Sequence, residues 1–525
     1  MREFNTRIVK ALQNGLRPTE YSSRGRPFLK EAYNVKVTEF GLEPFKPIQD
    51  PFGGVYSVNF PYPHLFIGEQ QTLLADKRYI FNVDMMPTPW EASRIDVYDG
   101  RNEDTIVSLP EGGQWHLADL KDAWYLFNGE CVVFNTQHRE LGGEDHRTLM
   151  IDDVSVNTGT EYKGRVVTGG FDPQNIWGDS WEYFFQDWQE QLEMDLPFEF
   201  DEIGSNYVLW SGIGGGDFPL WLFYPDLAMK GFMESEDYYD IDIKSSMLLE
   251  SLQRNEWGFM PMPWQGEILN IEPLGQALIV YGDEAVTALV PAEFGFGYQH
   301  LMNVGIADRG AVAGNRGGHI LIDESGELWS IGPQLETNKL GYKEYFLPML
   351  GTDISISLNQ QESEFYIANK DKGYVLDQGL TEIKQKPTSV EFQQGGLIGV
   401  FDEKVYTSGT RKGMVDNRTV IVTNPVSFSV SALKTVTTVS LGVRSPHKVE
   451  VALEYTTKKR EDWRRTRFVP VNKEGNADIR VNGLDFRVVI KAEDYDEFEL
   501  DFVEVRFQPD DRRFVRGTSV NTSNS

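Results

Sequence analysis

Cysteine is almost missing from this chain: 525 residues carry one, Cys131. A single thiol forms no intramolecular disulfide framework and no Cys-rich metal site, which points to a reducing compartment or to assembly in one. Long apolar runs are missing as well. The most apolar window, 207–224, is broken by Asp217, Pro219 and several glycines, so no membrane span is expected. The opening residues are polar and no apolar stretch follows, so no secretory leader is expected. Catalytic signatures are equally scarce. There is no Gly-x-Ser-x-Gly elbow. The glycine-rich stretch at 212–217 lacks the Lys-Ser/Thr ending of a phosphate loop and puts Asp217 where phosphate would be repelled. His138 and His146 bracket an acidic loop without the i, i+4 spacing of helical metal ligands. His319 opens a strand and reads as a satisfied core or rim residue. With 80 acidic residues, carboxylate pairs suited to glycoside hydrolysis abound and single nothing out. No catalytic residue, metal or cofactor is assigned.

Positive charge is the other shortage. The formal net charge is −30, which excludes a broad basic face for gripping nucleic acid. It suits a soluble surface, or one that must not adhere to a polyanion passing beside it. The charge is uneven. Residues 1–50 carry nine Lys/Arg against six Asp/Glu, whereas 179–250 carry seventeen acids and two lysines.

What the chain has in quantity is strand–turn–strand grammar. Units at 276–290, 319–331, 364–376 and 396–407 each join two apolar β runs through a tight turn of Asp, Glu, Gly, Asn or Lys. Leu278, Leu321, Phe365 and Leu397 mark equivalent points 43, 44 and 32 residues apart. A recurrence near 40 residues is that of propeller blades, which bury their faces only against each other. Further blades must therefore lie elsewhere. The stretch from 53 to about 171 supplies two or three, including the unit at 124–134 with its Asn128-Gly129 hairpin signal, for about six in all.

The fold class is mainly β: a β-propeller-like domain with a large inserted segment, followed by a C-terminal β-sandwich. An N-terminal arm is expected at 1–50, with a short helix over 6–16 and a basic extension containing Arg17, Arg24 and Arg26. It is either a disordered terminus or a clasp onto another subunit. The propeller occupies 51–175 and 266–412, and the acidic insertion 176–265 separates its two parts. Helices are expected at 179–193 and 243–254 within that insertion. Longer alternating strands over 419–510 form the sandwich, and 517–525 read as a disordered tail. The cationic cluster at 458–467 is a solvated hairpin tip or a docking surface for an acidic neighbour.

The closing segment Asp485-Phe-Arg-Val-Val-Ile-Lys-Ala-Glu-Asp-Tyr-Asp-Glu-Phe-Glu-Leu-Asp-Phe-Val-Glu-Val-Arg-Phe507, with Arg512-Arg-Phe-Val-Arg-Gly517 behind it, resembles the C-terminal segment of tail-tube proteins of short-tailed bacteriophages. The blade-like middle with its insertion is similar to the hub or nozzle proteins of those tails. The resemblance implies a structural virion protein with no catalytic role, assembled in the host cytoplasm. It implies a homo-oligomeric ring, of six subunits, beneath portal and adaptor, forming the distal DNA channel. On that reading Arg17, Arg24 and Arg26 are candidates for contact with the adaptor. Glu234, Glu236, Asp237 and Asp240 are candidates for an acidic lumen or gate through which DNA passes. The competing class is a propeller that binds carbohydrate or depolymerises a glycan, with Trp177, Trp181, Trp210, Trp221 and Trp264 as sugar-stacking candidates.

Overall fold

The turn expected at Asn128-Gly129 joins strand Ala123–Phe127 to strand Val132–Thr136, paired antiparallel from Ala123–Thr136 to Phe127–Val132. Asn128 Oδ1 accepts the amides of Glu130 and Cys131, each at 2.9 Å. Gly129 takes φ of 89°, and a Cβ there would run into the Arg309 guanidinium. In the computed structural model this construction recurs. An Asp or Asn stands directly after the second strand, counted from the axis, of six small sheets: Asp76, Asn128, Asp283, Asp323, Asn369 and Asp402. A short polar side chain that bonds the following amides closes a tight turn without bulk.

The structure describes residues 5–9, 12–17, 28–45, 48–49, 51, 64–67, 72–85, 90–99, 105–120, 123–136, 148–151, 155–171, 204–213, 258–292, 295–393, 396–402, 404–408, 418–426, 428, 432–443, 449–458, 462–492 and 499–509. They fall into two compact units. One comprises Asp50–Asp371 and Lys386–Thr407, the other Met1–Gln49, Lys372–Gln385 and Ser408–Ser525.

The first unit is a propeller of seven blades. Their innermost strands are His64–Ile67, His116–Asp119, Val156–Tyr162, Ile268–Leu274, Val312–Asn315, Ser355–Asn359 and Pro387–Gln393, in blades 1 to 7. Each seam between blades is an apolar layer of the kind that holds propellers together. Leu73, Ala75 and Ile80 of blade 1 meet Val97, Leu126 and Val133 of blade 2. Phe127 and Phe134 meet Val156 and Val166 across the next seam. Tyr281 and Val286 of blade 4 meet Val312 and Leu321 of blade 5. Ile398, Val400 and Val405 of blade 7 pack against Leu65, Leu74 and Val83 of blade 1, which closes the ring.

Three blades come from 64–261 and four from 268–407, so the count is seven where about six were expected. The extra blade is the third. Its inner strands, Val156–Tyr162 and Arg165–Phe171, are continued by Tyr207–Trp210 and Gly258–Pro261. These two short strands lie inside the range read as one insertion between blades. Four residues apiece between long segments of another pattern leave almost no periodic trace. The helices expected at 179–193 and 243–254 lie outside the described residues.

The second unit is a two-sheet sandwich built from distant parts of the sequence. In one sheet, Leu500–Pro509 pairs with Lys434–Val443 and with Asn5–Val9, in register from Asn5–Phe507 to Val9–Val503. Lys434–Val443 in turn pairs with Asn476–Gly483. In the other, Leu29–Tyr33 lies between Leu380–Ile383 and Thr419–Thr423, followed by Asp485–Ala492 and Val449–Thr456. Phe428 touches both layers, with ring centroids 5.8 Å from Phe486 and 4.6 Å from Phe507. The helix expected over 6–16 is replaced by strand Asn5–Val9 and a single 3-10 turn, Leu12–Asn14. The described residues of this range, 5–9, 12–17 and 28–44, are thus structural members of the sandwich and no detached arm. A cross-strand partner about five hundred positions away overrides the local helical pattern.

Candidate functional site

Of the residues singled out in the sequence, Arg17 is described. It is half-buried and follows Leu16, whose amide donates to the Leu380 carbonyl at 2.8 Å. Arg24, Arg26, Glu234, Glu236, Asp237 and Asp240 lie outside the described residues, as do Trp177, Trp181, Trp221, His138 and His146. Trp210 and Trp264 are buried in the seam between blades 3 and 4, so neither offers a face to a sugar. His319 is satisfied: Nδ1 shares a hydrogen bond of 2.6 Å with the Tyr281 hydroxyl and Nε2 lies 3.1 Å from the Pro273 carbonyl. Burial takes its pKa down to about 4. In the cationic cluster, Arg464–Arg465 pair with Val449–Thr456 as a short edge strand. Arg465 donates to Glu454 through Nε at 3.2 Å and a terminal nitrogen at 2.7 Å, while Arg487 lies 3.8 Å over the Trp463 ring.

The site the structure does assemble is the axis of the propeller. The innermost strands of all seven blades surround a cavity of about 300 Å³. One end of the axis is closed by side chains. Gln114 of blade 2 reaches across to blade 6 and donates to the Ile354 carbonyl at 2.6 Å. Arg309, just before blade 5, donates to the Asn128 carbonyl of blade 2 at 3.3 Å. Several polar groups of the wall are spent on the ring itself. Asn270 donates to the Arg309 carbonyl at 2.8 Å, and the Ser355 hydroxyl donates to the Thr388 carbonyl.

Other lining groups are unspent. His116 Nε2 and Ser357 Oγ are buried and have no hydrogen-bond partner among the described residues. The Glu272 carboxyl likewise has no hydrogen bond to a described residue, and it is the one acidic side chain among the described residues of the lining. Burial pushes its pKa up to about 7. His116 goes the other way, to about 3, first through burial and then through the charges of His64 and Arg309. At neutral pH the imidazole is therefore uncharged and the carboxyl is near its midpoint. Sequence reasoning passed over both residues. The one available signal was a lone acid in the otherwise uncharged run Ile268–Leu274.

Glycoside hydrolysis needs two carboxyl groups, and the described lining holds one. Among the described residues no group of three His, Cys, Asp or Glu side chains is placed to hold a metal, and no helix is long and apolar enough to cross a membrane.

No known family profile matches the chain, and no curated protein matches it. Solved structures similar to it are β-rich. The WD40 propeller of Doa1 is 8% identical at a TM-score of 0.35, covering 66% of this chain and 90% of that one. The Neurospora crassa Pan2 WD40 domain is 8% identical at 0.34, covering 67% and 90%. The extracellular domain of the putative one-component system BT4673 from B. thetaiotaomicron is 10% identical at 0.37, covering 93% and 64%.

Proposed function

We propose that the chain is a structural subunit of the tail of a short-tailed bacteriophage, forming the distal tube or nozzle through which DNA leaves. The observation that carries this reading is the position of the segment with the tail-tube resemblance. Its last strand, Leu500–Pro509, is the member on which Asn5–Val9, Leu42 and Lys434–Val443 all pair, so the resembling segment organises its sheet. The strongly acidic composition supports it, since DNA slides most freely past a surface that repels it.

On this reading the DNA path lies between copies of the subunit. A duplex whose major groove alone is about 12 Å wide cannot thread an axial cavity of about 300 Å³ crossed by Gln114. The proposed assembly is a ring of six subunits joined to an adaptor, in the virion. Glu234, Glu236, Asp237 and Asp240 are proposed to line its lumen.

Electron microscopy of the purified protein and of tails carrying a labelled copy tests the reading. Rings, and a label at the distal end of the tail, are expected. A monodisperse monomer that never enters tails would sink it. Arg17, Arg24 and Arg26 are proposed to dock the adaptor. Because residues 5–9, 29–33, 35–37 and 42–44 are strands of the sandwich, this is tested by charge reversal and not by truncation. Arg17→Glu with Arg24→Glu and Arg26→Glu is expected to give folded subunits that fail to join the tail. Normal incorporation would rule out that docking role.

A further inference from the structure

The axial cavity has features that a purely structural ring does not require. We propose that it binds a small hydroxylated organic cation, a primary ammonium ion borne on a polyol skeleton. The inference concerns the propeller alone and stands whether or not the subunit belongs to a tail.

Size comes first. About 300 Å³ is at the lower end of small-molecule pockets and suits a six-carbon skeleton. A second cavity of about 260 Å³ shares His64, Gln114, Ser355 and Thr388 with the first and is rimmed by Asp353, Lys370, Lys386 and Asp402. The decisive point is chemical complementarity. Glu272 lines the cavity and, among the described residues, has neither a hydrogen bond nor a neighbouring cation to compensate its burial. A buried carboxylate in that state lacks a counter-charge, and an ammonium ion supplies one together with up to three donors. Thr160 and Gln360 of the lining are polar side chains that can serve as hydrogen-bonding partners for hydroxyl groups. A neutral sugar would leave the carboxylate uncompensated, and an anion would be repelled by it.

Ionisation sharpens the test. Because burial holds the Glu272 carboxyl at about 7, a cation must displace its proton below that pH, so affinity should rise with pH towards 7 and level off above it. The titratable groups around Glu272 are His64 and His116 on blades 1 and 2 and Tyr281 on its own blade. Tyr281 is raised well above its usual range by burial and by Glu272 itself, and it is bonded to His319. His116, near 3, stays neutral throughout the range used. The Glu272→Gln variant separates the contribution of the carboxyl from that of every other group.

The experiment is calorimetric titration of the full chain with 1-amino-1-deoxysorbitol and with its neutral isostere, sorbitol, at pH 5.5, 6.5 and 7.5. The amine stays protonated over this range. The aminosorbitol is expected to bind with a millimolar or tighter dissociation constant at pH 7.5 and more than tenfold more weakly at pH 5.5. Sorbitol is expected to bind at least tenfold more weakly at pH 7.5. Glu272→Gln should remove the preference for the amine and flatten the pH profile. Ser357→Leu keeps the carboxyl but fills the cavity, so it should abolish binding even if the Glu272 variant fails to fold. Equal binding of the two polyols, binding untouched by either substitution, or no saturable binding of the amine would each overturn the assignment.

Discussion

Ser389 and Leu65 stand 324 positions apart in the chain and bond each other twice. The Ser389 hydroxyl accepts the Leu65 amide at 3.2 Å and donates to the Leu65 carbonyl at 3.0 Å. The bonds join the innermost strand of blade 7 to that of blade 1, where the ring closes on itself. Replacing the hydroxyl leaves a buried N–H and a buried C=O without partners, which costs roughly 2 kcal/mol. Ser389→Ala is therefore expected to lower the thermal midpoint, and amide exchange at Leu65 should accelerate more than exchange in blades 3 and 4. Uniform exchange across the propeller would argue that closure is held by the apolar seam alone.

Asp323 carries the turn of blade 5. Its Oδ1 accepts the Ser325 amide at 2.9 Å, the Ser325 hydroxyl at 2.8 Å and the Glu327 amide at 2.9 Å, and Oδ2 accepts Trp329 Nε1 at 2.8 Å. Asp323→Ala strands the amides and the indole together, for an expected loss of about 2–4 kcal/mol. Asp323→Asn, which keeps a carbonyl oxygen for the amides, should recover part of that loss in a denaturant melt. An unchanged midpoint in the alanine variant would show that backbone pairing alone holds the turn.

Acid and base should act on the propeller in opposite senses through different groups. His319, lowered from 6.5 to about 4, favours the fold in its neutral form. Its unfolded counterpart takes up a proton below about 6.5, so this stability is lost as pH falls from there towards 4, on the order of 3 kcal/mol. Glu272, raised from 4.5 to about 7, favours the fold when protonated, and its contribution is lost as pH rises from 4.5 to 7. Glu272→Gln is thus expected to melt higher than the unaltered protein at pH 8 and close to it at pH 4.5. A constant offset between the two melting curves across pH would rule out this ionisation as the cause.

The hairpins were legible because the two central strands of a blade lie between neighbouring blades and are apolar on both faces. Ala277–Gly282 is buried at every position, and Asp283 follows as its turn signal. Innermost strands were much harder to read. They carry His116, Asn270 and Glu272 towards the axis, and such mixed runs look like loop. Blade 7 shows the limit of local reading: its hairpin was plain in the sequence, whereas the bond from Ser389 to Leu65 has no local signature. Strand Asn5–Val9 was misread for the same reason, since its register is set by Val503 to Phe507. The candidate site followed suit, because the partners of a channel residue come from seven separate stretches of chain.

The pairing of Asn5 with Phe507 also fixes a sequence of events in synthesis. The ribosome releases strand Asn5–Val9 hundreds of residues before Leu500–Pro509 exists. Until then the early strand has no partner, and long-range pairing of this kind is slow to form. All seven blades, by contrast, are translated before residue 408, so the propeller can fold while its companion sandwich is still half made. A product broken off between residue 408 and Leu500 would carry a finished propeller and an unfinishable sandwich. Completion of the sandwich is therefore a length check on the nascent chain, passed only when the last strand has been delivered.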